Sequence, residues 1–353
     1  MNVRPAIARM SAYSPPLEMR NQGDYLLLDF NESTLPPSAD AVAAIRAYLE
    51  GGRVQAYPAY GNILERLGGY TGRPAAELIL TNGCDQAIEI VERALLEAGD
   101  EMITAVPTFA MTTQVAQTIG ARVVGVPYGA DLRYPLEAVL AAVGPRTRLI
   151  VVTNPNNPTG TSIDGAQLRR ILTARPGLAV LVDEAYYEFS GRTFAALLDE
   201  FDNLAITRTF SKAFAIAGLR LGYAMSNAAF VRELYKVRGP YDVNMLAVKA
   251  AEALLARPEP WQAYVHDVMQ VAKPRVERFF REHGVRYYPG DANFLLVQPA
   301  SVPDAVDYLK AHGILVRLMR PPVEHCFRLS IGSSQDMGRF METYGNYLSQ
   351  AGA

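Results

Sequence analysis

Short apolar runs alternate with amphipathic helical patterns through the middle of the chain. Helical spacing covers residues 84–96, 109–119 and 167–174, and a further helix is expected after Ser211. The apolar runs of strand length are residues 78–81, 101–104, 122–126, 149–153, 179–182, 204–207 and 221–225. Strands rich in Val, Ile and Leu that alternate with helices predict an α/β fold. Its mostly parallel seven-stranded sheet would be covered by helices on both faces.

The pattern changes after residue 227. Helical spacing dominates residues 229–236, 243–255 and 261–283, and later helices are expected near 303–311 and 335–348. Short strands are expected at residues 285–288, 293–297, 314–316 and 327–331. This mixed order predicts a smaller α+β domain over residues 241–353, beside a large domain over 38–240.

The first 37 residues contain five prolines and show no sustained period. They predict an extended arm that packs on the small domain or on a second copy of the chain. Within the arm, residues 25–32 indicate a short strand that runs into a polar turn. Ser38 then precedes apolar residues at helical spacing, which predicts an N-capped helix.

Composition limits the classes of function. The chain has 353 residues, of which 50% are hydrophobic and 20% charged, enough to bury a large core. The formal net charge is -2, so no basic field favours nucleic acid or an anionic membrane surface. The longest uncharged stretch, residues 102–121, is too polar for a bilayer span, and the first residues lack a signal-peptide core.

The cysteines and histidines show no metal-ligand spacing. Cys84 and Cys326 lie far apart, which favours a reducing compartment, the cytoplasm, over a disulfide scaffold. The four histidines are also scattered along the chain. We therefore expect no metal site.

Polar clusters follow the predicted strands at their carboxyl ends, where open parallel sheets bind ligands. The clusters are residues 81–85, 153–160, 183–187 and 209–212. The last contains Lys212 beside Thr209 and Ser211, with Arg220 a few residues on. One amine beside an anion clamp suits an aldehyde cofactor that carries a phosphate. A surface Ser-Lys pair at the start of a helix is the structural alternative.

The other clusters have matching chemical uses. Residues 82–85 lie between a strand and a helix, where backbone N–H groups bind anions. Asp183 could hold a ring nitrogen protonated, Asn157 and Tyr186 could bind a ring hydroxyl, and Phe109 could stack on the ring. Each feature alone is consistent with a turn, a cap or core packing. Together with Lys212 they describe a site for pyridoxal 5'-phosphate.

Three motifs carry a family resemblance. Asn-Pro-Asn-Asn-Pro-Thr-Gly (154–160), Val-Asp-Glu-Ala-Tyr-Tyr (182–187) and Thr-Phe-Ser-Lys-Ala-Phe-Ala-Ile-Ala-Gly-Leu-Arg (209–220) resemble fold-type I aminotransferases, most closely the histidinol-phosphate aminotransferase family. The resemblance covers nearly the whole chain. It implies that Lys212 is the Schiff-base lysine, Asp183 the pyridinium partner, and Asn157 with Tyr186 the ring-hydroxyl partners. It places around the phosphate Gly83, Cys84, Asp85, Thr209, Ser211 and Arg220.

The resemblance also implies assembly and substrate contacts. Tyr57 resembles a tyrosine that reaches the neighbouring subunit's cofactor, which implies a homodimer with shared sites. Arg328 resembles the arginine that binds a substrate α-carboxylate, a natural partner for a bidentate guanidinium. Arg317 and Tyr13 stand where family members bind a distal phosphate, and Asn31 begins a motif related to Asn-Glu-Asn-Pro.

The chain departs from the family pattern near the substrate. Ser33 and Thr34 replace Asn-Pro, Cys84 replaces a serine and Phe109 a tyrosine, and the segment between Arg317 and Arg328 is short. The implied activity is transamination in two half-reactions, from an amino donor such as glutamate to a keto or aldehyde acceptor. An aromatic or other amino acid aminotransferase, a phospho-amino-acid decarboxylase and a cofactor-binding regulator without turnover remain alternatives.

Overall fold

The strands and helices are taken from a computed structural model that describes residues 1–12 and 15–351. The strands are β1 (Leu26–Leu28), β2 (Leu78–Thr81), β3 (Glu101–Val106), β4 (Arg122–Pro127), β5 (Thr147–Thr153), β6 (Ala179–Asp183), β7 (Leu204–Thr209), β8 (Gly222–Ser226), β9 (Arg286–Tyr288), β10 (Phe294–Gln298), β11 (Ile314–Leu318) and β12 (Phe327–Ser330). The helices are α1 (Pro5–Ala8), α2 (Ala39–Glu50), α3 (Ile63–Thr71), α4 (Gly83–Leu95), α5 (Ala110–Ile119), α6 (Leu136–Ala141), α7 (Gly165–Leu172), α8 (Tyr187–Ser190), α9 (Ala228–Val237), α10 (Met245–Ala256), α11 (Glu259–His266), α12 (Lys273–Glu282), α13 (Val302–Ala311) and α14 (Ser334–Ala351).

The larger sheet has seven strands in the order β2-β8-β7-β6-β5-β3-β4. Its neighbouring strands run parallel except for β8, which is antiparallel to both β2 and β7. Leu149 and Val151 point into a buried layer formed with α4, α5 and α9, whereas Ile150 and Val152 point into the larger core on the other face. The predicted mostly parallel sheet, apolar on both faces, is confirmed.

The smaller sheet contains the strand of the N-terminal arm. Its order is β1-β11-β12-β10-β9, and β1 pairs in parallel with β11, with Leu26 opposite Ile314. Pairs among β9 to β12 are antiparallel. Because β1 is hydrogen-bonded at the edge of this sheet, the chain after β1 passes directly between the two sheets.

Contacts of α10 bear on the predicted domain boundary at residue 240. This helix packs along α2 and α3, which precede the seven-stranded sheet. The helical run that follows is continuous from α11 through a wider π-type turn, Asp267–Ala272, into α12. We therefore propose that the large domain extends through Ala256 and that the α11–α12 run links it to the small domain.

The prediction of a helix after Ser211 is wrong. The chain instead turns through residues 210–221, where Ala215 and Arg220 have positive φ angles of 59° and 55°. Left-handed residues interrupt a right-handed helix, and here they return the chain antiparallel into β8. The 3₁₀ turn Ala217–Leu219 is the helical element within this loop.

Helices α3 and α6 are not predicted by the sequence pattern. Helix α3 contains Gly68 and Gly69, and glycine lowers intrinsic helix propensity by about 1 kcal/mol per residue relative to alanine. The helix forms because Ile63 and Leu67 are buried in the core. By contrast, the expected cap of α2 is confirmed: the Ser38 hydroxyl accepts the Ala41 N–H at 3.3 Å.

Candidate active site

The polar clusters meet at one edge of the larger sheet. Strands β5, β6 and β7 are parallel neighbours, with Thr153 opposite Asp183 and Asp183 opposite Thr207. Helix α4 begins at the same edge, because β2 ends at Thr81 and the helix begins two residues later. The clusters predicted at separate strand ends therefore form one site.

Asp183 lies at the floor of this site. Its side chain is buried, and its Oδ1 accepts hydrogen bonds from the Cys84 thiol at 3.1 Å and the Thr207 hydroxyl at 3.2 Å. Burial raises the pKa of Asp183 to about 6, although both hydrogen bonds oppose that shift. Within residues 1–12 and 15–351 no ion pair reaches this carboxylate. Such a buried carboxylate fits a cationic ring N–H.

The start of α4 forms an anion cradle. The Arg220 guanidinium donates to Asp85 at 3.1 Å and to the Ser211 hydroxyl at 3.3 Å, and the Ser211 N–H donates to the Thr209 hydroxyl at 3.0 Å. Gly83 has a φ of 78°, and a Cβ there would lie 2.6 Å from the Arg220 guanidinium. Glycine at this position therefore brings the helix N-terminus close to the arginine. Backbone N–H groups, hydroxyls and one guanidinium fit a phosphate.

Cys84 differs from its expected position among the phosphate contacts. Its thiol points to Asp183, so its backbone N–H is the group available to an anion at the helix start. Burial raises the pKa of the thiol, which keeps it as the hydrogen-bond donor.

Lys212 projects from the loop after β7 toward the N-terminal segment. Its ammonium donates to the Phe30 carbonyl oxygen at 2.7 Å. Burial and then the Arg328 guanidinium lower the pKa of Lys212 to about 8, while Glu32 opposes the shift. At pH 7 roughly a tenth of the amine is therefore neutral, against fewer than about one in a thousand for an ordinary lysine, and the neutral form is the one that attacks a carbonyl.

The two expected ring-hydroxyl partners each contact an expected substrate residue. The Asn157 side-chain oxygen accepts from the Arg328 guanidinium at 2.5 Å, and the Tyr186 hydroxyl accepts from the Asn31 amide at 2.9 Å. Asn31 is buried with a φ of 57°, and its side-chain oxygen accepts from the Ser330 hydroxyl at 2.9 Å. Both sheets therefore contribute to one continuous polar surface.

Arg317 and Arg328 lie directly opposite each other on β11 and β12. Opposed residues on antiparallel strands project to the same face, so both arginine side chains leave the same face of the small sheet. Arg328 is buried and donates to the Asp29 carbonyl oxygen at 2.6 Å, while Arg317 lies 4.9 Å from the centroid of the Phe30 ring. Adjacent cations repel each other, and this arrangement favours a ligand with two anionic groups.

Two further predicted residues, Phe109 and Tyr57, lie outside this hydrogen-bonded cluster of described residues. Phe109 is partly buried at the start of α5 and packs on the apolar layer beside α4. Tyr57 is 78% exposed and stacks on Tyr241 at 4.4 Å. Tyr13 lies outside the described residues. The roles expected for these three residues remain predictions.

Sequence reasoning missed the contribution of the N-terminal segment. The backbone carbonyls of Asp29 and Phe30 hold Arg328 and Lys212, and Arg20 pairs with Asp29 and Glu32. Backbone acceptors have no signature in residue type. The cluster of Asp29 and Glu32 around the short strand was the available signal.

Comparison with known proteins places the chain in a family. Residues 23–343 match the family model described as aminotransferase class I and II. The chain is 33% identical to histidinol-phosphate aminotransferase 2 of Nitrosococcus oceani over 96% of this chain and 95% of that protein. It is 36% identical to histidinol-phosphate aminotransferase of Symbiobacterium thermophilum, over 97% of each chain. The structure superposes with a TM-score of 0.88 on histidinol-phosphate aminotransferase from Sinorhizobium meliloti in complex with pyridoxal-5'-phosphate, at 25% identity over 99% of this chain and 98% of that one.

The chain therefore belongs to the aminotransferase class I and II family. It is a pyridoxal-phosphate-dependent aminotransferase with the fold-type I architecture that its two sheets show. The cradle at α4, the buried Asp183 and the amine of Lys212 fit the phosphate, ring nitrogen and aldehyde of that cofactor. Within the described part of the chain, no helix is long and apolar enough to cross a membrane.

Proposed function

We propose that this aminotransferase exchanges an amino group between histidinol phosphate and the glutamate/2-oxoglutarate pair. The observation that carries the proposal is the pair of opposed arginines, Arg317 and Arg328, of which Arg328 is close enough to lower the pKa of Lys212. One substrate carries a phosphate and the other an α-carboxylate and a side-chain carboxylate, so both need cationic partners. The names of the two curated relatives support the same substrate.

Each side chain has a proposed task in this reaction. When bound, pyridoxal phosphate supplies a carbonyl that exchanges amines and a ring that accepts electrons. Lys212 holds the cofactor covalently, and after release its neutral Nζ takes the proton from the substrate α-carbon. Asp183 keeps the ring nitrogen of the cofactor protonated. Asn157 and Tyr186 both bind the ring hydroxyl. The groups around Gly83, Ser211 and Arg220 hold the phosphate.

Arg317→Ala is expected to lower kcat/KM for histidinol phosphate roughly ten- to hundredfold. A charge-assisted contact to a bound anion contributes about 1.5–3 kcal/mol, which that loss reflects. Phenylalanine and a small aliphatic amino acid should lose much less, because neither carries a distal anion. Steady-state kinetics on all three amino donors measures the difference.

Arg286→Ala is the matched control for this substitution. Arg286 is an exposed arginine on β9, at the opposite edge of the same sheet, and its removal should leave all three rates unchanged. Equal losses on the three substrates for Arg317→Ala would reject a phosphate contact. Absent wild-type activity with histidinol phosphate would leave another amino acid or a phospho-amino acid as the substrate.

We also propose that the active species is a cytoplasmic homodimer. Tyr57 and Tyr241 form an exposed aromatic pair, and a groove of about 530 Å³ nearby is lined by Tyr60 and Tyr235. Contiguous exposed apolar surface of this kind favours a protein partner, here a second copy whose cofactor Tyr57 reaches. The buried free thiols of Cys84 and Cys326 suit a reducing compartment.

Mixing inactive Lys212→Ala with an inactive Tyr57→Ala variant should restore activity. Each heterodimer holds one complete site, which has both Lys212 and the intact tyrosine of the other chain, and one site that lacks both. Random exchange makes about half of the dimers heterodimers. Up to about a quarter of wild-type activity is therefore expected if each homodimer is inactive. Activity is measured after subunit exchange has been confirmed by mass spectrometry of differently tagged chains. Exchange without recovery would show that each chain builds its site alone.

A further inference from the structure

One short segment, residues 29–32, touches three groups of the site. The Phe30 carbonyl accepts from Lys212 at 2.7 Å, and the Asp29 carbonyl accepts from Arg328 at 2.6 Å. The Asn31 side chain donates to the Tyr186 hydroxyl at 2.9 Å. A displacement of this segment would therefore move an amine, a guanidinium and a phenol together.

Arg20 binds both ends of the segment. Its Nη2 donates to Asp29 Oδ1 at 2.6 Å and to Glu32 Oε2 at 2.5 Å, while Nε and Nη1 donate to the second oxygen of each carboxylate at 3.2 Å. The guanidinium also lies 4.5 Å from the centroid of the Phe30 ring. A planar fork that pairs with two carboxylates fixes their separation as well as their charge.

These ion pairs are partly shielded from water. The Arg20 side chain is 15% exposed, that of Asp29 is 6% exposed and that of Glu32 is 29% exposed, so solvent screens the pair with Asp29 most weakly. Arg20 lies in the 3₁₀ turn Glu18–Asn21, before β1, and thereby joins the arm to the site.

The amine of Lys212 responds to one member of the Arg20–Asp29–Glu32 cluster, the Glu32 carboxylate. The charged groups that act on its amine are Arg328, Glu32, Asp85 and Arg220: the arginines lower its pKa and the carboxylates raise it. With Asp29, Glu32 and Arg20 all ionised, the cluster carries one net negative charge. Without Arg20 it would carry two, and Glu32 would face Lys212 without its counter-ion.

We propose that Arg20 is a positioning residue: its paired bonds to Asp29 and Glu32 hold residues 29–32 in place and shield the Lys212 amine from the Glu32 carboxylate. The inference rests on the proposed function insofar as Lys212 is the cofactor lysine. It assigns catalytic importance to a residue of the arm that is not among those proposed to bind substrate or cofactor.

The test measures the protonation midpoint of Lys212 in the cofactor-free protein. Competitive acetylation across pH, with mass spectrometry of the Lys212 peptide, reports this midpoint independently of turnover. Arg20→Met should raise it by roughly half a unit to one unit, the size expected for one added charge at partial screening. Arg20→Met/Glu32→Gln, which has the wild-type net charge, should return the midpoint to its wild-type value.

Two further variants keep the result interpretable. Glu32→Gln alone removes one negative charge and should lower the midpoint. This variant tests the premise that the Glu32 carboxylate acts on Lys212, even if Arg20→Met fails to fold. Arg170→Met, which breaks an exposed pair with Glu137 on the surface, should leave it unchanged. A midpoint that stays at the wild-type value in both Arg20→Met and Glu32→Gln would overturn the proposal.

The inference and the proposed function fail in different ways. A wild-type enzyme without activity on histidinol phosphate would reject the proposed substrate, while the Lys212 midpoints would still decide the role of Arg20. The double variant Arg20→Met/Glu32→Gln decides whether shielding is the cause. If both variants unfold at the wild-type temperature but the double variant keeps the raised midpoint of Arg20→Met, electrostatic shielding is not the cause. That result would also overturn the proposal.

Discussion

Lys212→Ala is expected to abolish transamination, with a fall in kcat of at least about a thousandfold. Two functions are lost at once, because the same amine holds the cofactor and moves the proton at the substrate α-carbon. The fold should survive, since among the described residues the ammonium makes one hydrogen bond, to the Phe30 carbonyl. Steady-state turnover, circular dichroism and thermal unfolding of wild type and variant measure these outcomes.

Covalent trapping provides the control for this prediction. Borohydride should fix pyridoxal phosphate to the Lys212 peptide of the wild type and leave the Lys212→Ala variant unlabelled. Lys273 is the informative comparison, because burial also lowers its pKa to about 8, but it donates to the Gly290 and Ala292 carbonyls. Label on Lys273, or near-normal turnover by Lys212→Ala, would contradict the assignment.

The position of the site at one edge of the larger sheet could be predicted, because the sequence signals for it are local. Each polar cluster directly follows an apolar run, and parallel strands bring their carboxyl ends to the same edge whatever the connections between them. Asp183 and Lys212 could therefore be placed in one site without knowledge of strand order. The order itself, with β8 between β2 and β7, has no comparable local signal.

The loop after Lys212 shows where local pattern fails. Residues 212–219 have apolar spacing that suits a helix, but the next strand must return antiparallel to β7. Backbone turns at Ala215 and Arg220 meet that requirement. The sheet topology therefore overrides the helical pattern here. Arg220, the arginine of the anion cradle, is itself one of the two residues at which the backbone turns.

The individual hydrogen bonds and side-chain pairs between distant segments could not be predicted. Lys212 meets a backbone carbonyl 182 positions away, and the opposed pair of Arg317 and Arg328 depends on the register of β11 and β12. A shift of that register by one residue would turn one arginine to the other face. The sequence could identify Lys212, Arg317 and Arg328 as candidates, whereas their partners are evident only from the three-dimensional structure.

Asp183→Asn is expected to retain pyridoxal phosphate but to lose at least about a hundredfold in kcat. The oxygen of the substituted amide could still accept from Cys84 and Thr207, so the buried side chain keeps its two existing hydrogen bonds. The amide N–H would then face the ring nitrogen and favour the unprotonated ring, which accepts electrons poorly. Cys84→Ala, which keeps the carboxylate and removes one donor, is the control and should lose far less activity.

Cofactor affinity as a function of pH separates this electrostatic role from a steric one. Burial raises the pKa of Asp183 to about 6 in the cofactor-free protein, and only the carboxylate form, present above that pH, pairs with a protonated ring nitrogen. Affinity of the wild-type apoprotein should therefore fall as pH drops through about 6, because cofactor binding must then release the carboxyl proton. Asp183→Asn has no carboxyl to titrate at this position, so in fluorescence titrations its affinity should fall less over this range, where the phosphate of pyridoxal phosphate, with its second pKa at about 6, titrates in both proteins. The same acid limb in both proteins, or equal kcat values, would show that another group serves the ring nitrogen.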